Sequence, residues 1–300
     1  MTEITSIDTT MSPAKHKMTV KTADTLKSYR THLEANQTSH DVRWTQELEL
    51  GRGQAPFTVS GWCYPCQKHV EFRVDFEYSS TKINGAFVPN WRERVLCSCE
   101  LNNRTRASIQ ILEEILCAKS DDKIYIAEQV TPLYRMLKTR FPALVGSEYL
   151  GGKIPFGVHD DRGMRNESIT KLTFPDNTFD IALNFDVLEH IPDPEVGLAE
   201  IFRVLKPGGK LLLSVPFMPH EQATRIRAKM TPDGVVTHLL APQYHGDPVS
   251  DSGCLCFQDF GWELLDQMRA IGFSRAEMLL YWSDTLGYYG VEQMVISAQK

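Results

Sequence analysis

No apolar run in this 300-residue chain approaches the length of a membrane span; Leu211 to Met218 is only strand-sized. A signal peptide's apolar core is missing too, since Met1 to Thr45 is mostly polar. Basic charge is scarce: 32 lysines and arginines face 38 aspartates and glutamates, a net charge of −6. A general nucleic-acid surface would need the opposite balance. The seven cysteines are an odd number, set out as CxxC, CxC, one single residue and CxC. That is not the framework of a secreted disulfide domain. The expected home is therefore a reducing cytoplasm, with no nucleic acid and no membrane among the expected partners.

An apolar fraction of 42% with 10% aromatics is enough for a sizeable core. The length suits a main domain with a small appended module. Residues 1–19 have no apolar period and read as a disordered lead. Residues 20–57 form a helical segment, because Leu26, Tyr29 and Leu33 recur at helical spacing within Val20 to Asn36. Residues 58–107 differ in kind, with strand-like pieces such as Val70 to Phe76 between cysteine pairs. From 108 to 300 the pattern alternates strand and helix, beginning with a helix over Ser108 to Ala118. Strands are expected at Lys123–Ala127, Ala143–Glu148, Phe179–Asn184, Lys210–Val215, Glu277–Trp282 and Val291–Ala298. Thr131-Pro132 gives a capped helix start, and Gly272 closes the helix that begins near Phe260. This is an α/β chain with a doubly wound, mostly parallel sheet. The long connection over residues 218–259 reads as a substrate lid.

Four cysteines, Cys63, Cys66, Cys97 and Cys99, sit in two short turns and suit a structural Zn2+ site that staples the module. Cys254 and Cys256 read as packed or free. Arg104 and Arg106 are available for an acidic group. In the lid, His245 belongs to the run Tyr244-His-Gly-Asp-Pro248, where Asp247 could orient it as a general base or the run could simply be a turn. His238 and His220 are weaker candidates for the same role. Asp186, Glu189 and His190 form a D-x-x-E-H set, either a cation site or a strand–helix junction, with Asp186 a candidate for the acceptor pocket.

The stretch Phe174-Pro-Asp-Asn-Thr-Phe-Asp180, the strand end Val187-Leu-Glu-His190 and Leu205-Lys-Pro-Gly-Gly209 follow one another in that order. Together they closely resemble the second half of class I S-adenosylmethionine-dependent methyltransferases, well over Glu148 to Phe217 and loosely elsewhere. The resemblance implies a Rossmann-like, seven-stranded sheet and S-adenosyl-L-methionine as cofactor, held beyond the strand ends. On this reading Glu148, with Tyr149 beside it, takes the ribose, and Ser168 with Ile169 lies at the adenine. Asn184 and Phe185 line the next strand end. Glu128 or Gln129 holds the amino group, while the helix start at Thr131 meets the carboxylate. The turn from Glu128 to Tyr134 departs from the family in having no glycine, and Ser168 stands where the family often has an acid. The expected reaction is methylation of a small-molecule or sugar hydroxyl. An N-methyl or protein-modifying enzyme and a non-catalytic scaffold are the alternatives.

Overall fold

Two β-branched residues, Val20 and Thr22, decide how the described chain begins. In the computed structural model, which describes residues 18–247 and 249–300, they lie in a strand, β1 (Thr19–Ala23). The helix expected from Val20 starts only after Thr25, whose hydroxyl accepts from the Ser28 amide in a reciprocal capping box. It then continues well past Asn36 as α1 (Leu26–Leu50). The expected lead over residues 1–17, and Pro248, lie outside the described residues.

A three-stranded antiparallel sheet follows: β2 (Phe57–Cys63), β3 (Lys68–Val74) and β4 (Val95–Leu96). Its small core centres on Phe72, Val74 and Val95. The module is fused to the rest of the chain rather than tethered. Arg106, fully buried, lies 3.9 Å over the Phe72 ring, and its guanidinium donates to the carbonyls of Leu286 and Gly287. The helix expected over Ser108 to Ala118 begins earlier, at an Asn102 cap, as α2 (Asn103–Gln110), and runs into a π-helical turn to Ile115.

The main domain continues through β5 (Ile124–Ile126), α3 (Pro132–Arg140), β6 (Val145–Gly146), β7 (Phe179–Phe185), α4 (Pro194–Val204) and β8 (Leu205–Ser214). The lid then folds as two short hairpins enclosed by a two-stranded ladder of Arg225–Ile226 with Gln258–Asp259; of the hairpins, β9 (Tyr244–Asp247) with β10 (Ser250–Leu255) reaches the site. The chain ends with α5 (Glu263–Ile271), β11 (Arg275–Ser283) and β12 (Tyr288–Gln299). Thr131 caps α3 as expected, and Gly272, at φ 126°, ends α5.

The large sheet has seven strands in the order β1-β11-β12-β8-β7-β5-β6. Pairings among β8, β7, β5 and β6 are parallel, and those from β8 through β12 and β11 to β1 are antiparallel. The sheet is thus mixed, not mostly parallel. The reason lies at its two edges. Beyond β6 the chain makes only a single bridge, Glu148 to Asn166, while β1 adds an antiparallel strand at the far side. Winding reverses between β5 and its two neighbours, which opens a crevice at the carboxyl ends of the strands. Tyr288 and Tyr289 are buried and Trp282 is half-buried, its indole donating to Glu47.

Glu47 ties α1 to the β11–β12 connection. Its buried carboxylate also accepts from the backbone amides of Gly290 and Val291. Val291 is held at φ 60°, a region a β-branched residue avoids. Glu47→Ala leaves three donors without their partner, so it should lower the unfolding free energy by about 2–4 kcal/mol in denaturant titration. An unchanged midpoint would contradict this anchoring role.

Candidate active site

At the carboxyl ends of β5, β6, β7 and β8 lies a cavity of about 1720 Å³, walled on its other sides by α1, the cysteine module and the lid. Its floor at β5 and β6 is shaped by one carboxylate. Glu148 Oε1 accepts the backbone N–H groups of Gln129 at 2.6 Å and Val130 at 3.1 Å. An acid at the end of one strand therefore fixes the turn that leaves the strand beside it, where this chain has no glycine. Gly146 permits the close approach: a Cβ there would stand 2.4 Å from the Tyr134 ring and 2.6 Å from the Glu128 carbonyl.

Glu128 faces the same cavity with its Oε1 buried and without a hydrogen-bond partner. Burial pushes its carboxyl up to about 7, against the opposing pull of Thr131 and Arg104. Glu148, Tyr149, Ser168, Ile169, Thr131 and Phe185 also line the cavity. Two expected cofactor residues do not. The Gln129 amide is spent on the 163–165 loop, donating to the Gly163 carbonyl and accepting from the Arg165 amide. Asn184 is buried inside β7. Glu167, a possible substitute for Ser168, is engaged by Arg165 and by the Thr173 amide.

The expected catalytic residues are rearranged. Asp186 does face the cavity, but Arg92 grips it with two contacts of 2.8 and 3.1 Å, Arg104 adds one of 3.3 Å, and the Ser214 hydroxyl donates at 2.9 Å. Burial opposes its charge, yet the two guanidinium groups hold it well below the usual carboxylate range. It is an anchor between module and main sheet rather than a proton acceptor. Arg104 thus does find an acidic group, whereas Arg106 is buried on backbone carbonyls. His238 and His220 are exposed and do not line the cavity.

His245 lines the cavity, and its Nδ1 lies 3.3 Å from the fully buried Glu189. Its Nε2 lies 3.3 Å from the Gln243 side-chain amide, so both ring nitrogens have neighbours within the protein. The side chain of Asp247, its expected orienting partner, lies outside the described residues.

A histidine that sequence reasoning missed has the opposite character. His40, from α1, lines the cavity with Nε2 buried and without a hydrogen-bond partner, 3.7 Å from Glu292. Burial lowers its proton affinity. His32 holds Glu292 at 2.9 Å. His32 and His40 lie two helical turns apart on α1, but nothing local indicates that Glu292, some 250 positions later, closes the set.

In the module, the four cysteine sulfurs lie within 4.8 Å of one another, with Cys63–Cys99 at 4.0 Å and Cys66–Cys97 at 3.8 Å. A tetrahedral zinc–thiolate site has edges of roughly 3.8 Å, so the sulfur set fits the ion.

Residues 156–213 match the family model described as a methyltransferase domain. An uncharacterized methyltransferase of Schizosaccharomyces pombe is 60% identical over 42 residues, covering 14% of this chain and 15% of its own. The demethylmenaquinone methyltransferase of Anoxybacillus flavithermus is 30% identical over 131 residues, 41% of this chain and 49% of its own. The chain thus spans about half, or less, of the curated relatives it matches. A solved N1-methyltransferase of Burkholderia thailandensis, with 1,6-didemethyltoxoflavin and S-adenosylhomocysteine bound, covers 65% of this chain and 77% of its own at 17% identity, with a TM-score of 0.39. Among the described residues no helix is long and apolar enough to cross a membrane.

Glu128 gives the site a signature that needs no ligand. Its raised pKa favours the folded state while the carboxyl is protonated, and this advantage fades as pH rises from 4.5 through about 7. Glu128→Gln should therefore raise stability by about 2–3 kcal/mol at pH 8 and change little at pH 4. Equal effects at both pH values in chemical denaturation would show that the carboxyl is not raised.

Proposed function

We propose that this chain is an S-adenosylmethionine-dependent methyltransferase acting on a hydroxyl of a small molecule or sugar. The observation that carries the reading is the buried Oε1 of Glu128, without a hydrogen-bond partner, on a cavity wall shared with Glu148 and the start of α3. A cationic amino group answers an unpartnered carboxylate oxygen, and the positive end of α3 answers a carboxylate on the same ligand. Glu148, at the end of β6, suits the ribose hydroxyls. Ser168 and Ile169, on the same wall, suit the adenine.

The bound cofactor would supply an electrophilic methyl group, which leaves the protein to align the reactants and, for a hydroxyl acceptor, to remove a proton. His40 suits proton removal, because its imidazole is biased neutral and has an unpartnered nitrogen at the cavity. An amine that enters in its neutral form would not need this base, whereas a hydroxyl always loses its proton on methylation, so a neutral histidine on the wall suits a hydroxyl acceptor. Relatives include a phosphoethanolamine N-methyltransferase of Caenorhabditis elegans as well as quinone C-methyltransferases, so the acceptor class rests on the site.

The Cys63, Cys66, Cys97 and Cys99 set would hold a structural Zn2+ that closes the β2–β3 turn onto the segment after β4. The unbridged cysteines suit a reducing cytoplasm.

Saturating S-adenosylhomocysteine, at about 100 times Kd, should stabilise the protein by about 2.7 kcal/mol, read as a rise in unfolding temperature; no rise at any concentration would favour the scaffold alternative. His40→Gln should leave this binding intact while lowering turnover of a hydroxyl acceptor by roughly 10²- to 10⁴-fold. Undiminished turnover would remove His40 as the base.

A further inference from the structure

Behind the cavity wall at β7 the D-x-x-E-H segment meets the lid, and a second set of ligand-type side chains converges there. His190, His245 and Cys256 present donor atoms within 4.8 Å of one another. Glu189 joins them: its Oε1 lies 3.3 Å from His245 Nδ1 and 3.7 Å from His190 Nε2. We propose that Glu189, His190, His245 and Cys256 form a second metal site, for a tetrahedral divalent ion of the zinc class, which fastens the lid to the end of β7.

Four features carry this. The first is Glu189 itself, 0% exposed, with neither carboxylate oxygen hydrogen-bonded. A buried, unsatisfied carboxylate is costly unless a cation sits beside it. The second is edge length. Zinc with nitrogen and oxygen ligands has ligand–ligand separations of roughly 3.4 Å, close to both Glu189 contacts. The third is orientation of the rings. His190 uses Nδ1 on the Leu255 carbonyl at 2.9 Å, which leaves Nε2 pointing to Glu189. Metal-bound histidines characteristically have the second ring N–H donated to an acceptor in this way. His245 has Nε2 beside the Gln243 side-chain amide at 3.3 Å; with Nδ1 on the ion its Nε2–H needs an acceptor, which that amide supplies when its oxygen is turned to the ring. The fourth is charge: one carboxylate and one thiolate neutralise a divalent ion, with two neutral imidazoles completing four ligands.

The backbone builds the site before any ion arrives. Phe257 N–H donates to the Glu189 carbonyl at 2.7 Å, and Cys256 N–H donates to the Gln243 carbonyl at 2.8 Å. These bonds hold Cys256 and the β9–β10 hairpin against the Leu188–His190 turn. His190 and His245 remain on the cavity wall, so an ion here would stiffen the acceptor side of the chamber. Neither methyl transfer nor the cysteine set in the module is required for this site to form.

Zinc content settles it. The full chain, loaded with Zn2+ and dialysed against metal-free buffer, should retain two equivalents by elemental analysis. Cys97→Ser should retain one, and so should Cys256→Ala or His190→Ala. Cobalt loaded into Cys97→Ser should give the intense visible bands of a four-coordinate ion with a thiolate charge-transfer band, and both should vanish when Cys256→Ala is added. Unchanged S-adenosylhomocysteine binding or far-ultraviolet dichroism serves as the check that variants are folded. A wild-type chain that keeps only the equivalent removed by Cys97→Ser would overturn the site. So would cobalt spectra indifferent to Cys256. One equivalent that survives Cys97→Ser but not Cys256→Ala would uphold this site and defeat the zinc reading of the module.

Discussion

The bond from the Glu148 carboxylate to the amides of Gln129 and Val130 fixes everything at the cofactor end of the sheet. Parallel strands leave their carboxyl ends open, and the loop that follows the central strand must be held near any ligand without collapsing into its place. A glycine-rich turn achieves this through backbone freedom. Here rigidity replaces freedom: an acid just beyond β6 grips the turn after β5, and Gly146 allows the two segments to touch. The turn can then direct Glu128 into the cavity.

Around that point, three buried or half-buried carboxylates line one chamber and a fourth, Glu189, lies behind its wall, each under different constraints. Glu148 is engaged by backbone amides, Asp186 is clamped between Arg92 and Arg104, and Glu128 and Glu189 each have buried oxygen without a hydrogen-bond partner. Satisfied carboxylates hold the architecture. Unsatisfied ones need cations, and they mark where ligands belong. The Asp186 clamp also explains why the cysteine module is packed against the main domain: Arg92 comes from the module, between β3 and β4, and Arg104 from α2 directly after it, so displacing the module would expose a buried anion.

Local signals were legible in the sequence and long-range ones were not. Thr131-Pro132, Gly272 and the alternation from Lys123 to Ala298 each act within a few residues, and each appears as expected; the four cysteines, though in two pairs some thirty positions apart, do come together. The start of α1 is displaced because Val20 and Thr22 are drawn into a strand by β11, some 260 positions away. The mixed character of the sheet has the same origin. Among site residues, Asp186 and His245 reach the cavity with partners other than the expected ones: Arg92 and Arg104 for the first, Glu189 for the second, all from distant segments. His40 is illegible in sequence altogether: on α1 it looks like any half-polar helix position until Glu292 is brought beside it.

A buried, unpartnered carboxylate oxygen at Glu128, placed on the cavity to meet a cationic group of a ligand, is the claim on which the functional reading stands. Calorimetric titration with S-adenosylhomocysteine at pH 6, repeated in buffers of different ionisation enthalpy, counts the protons exchanged on binding. With its carboxyl held at about 7, Glu128 should release close to one proton as the ligand's amino group arrives, and Glu128→Gln should release none. Tight binding by the wild-type chain with no net proton release would contradict the account.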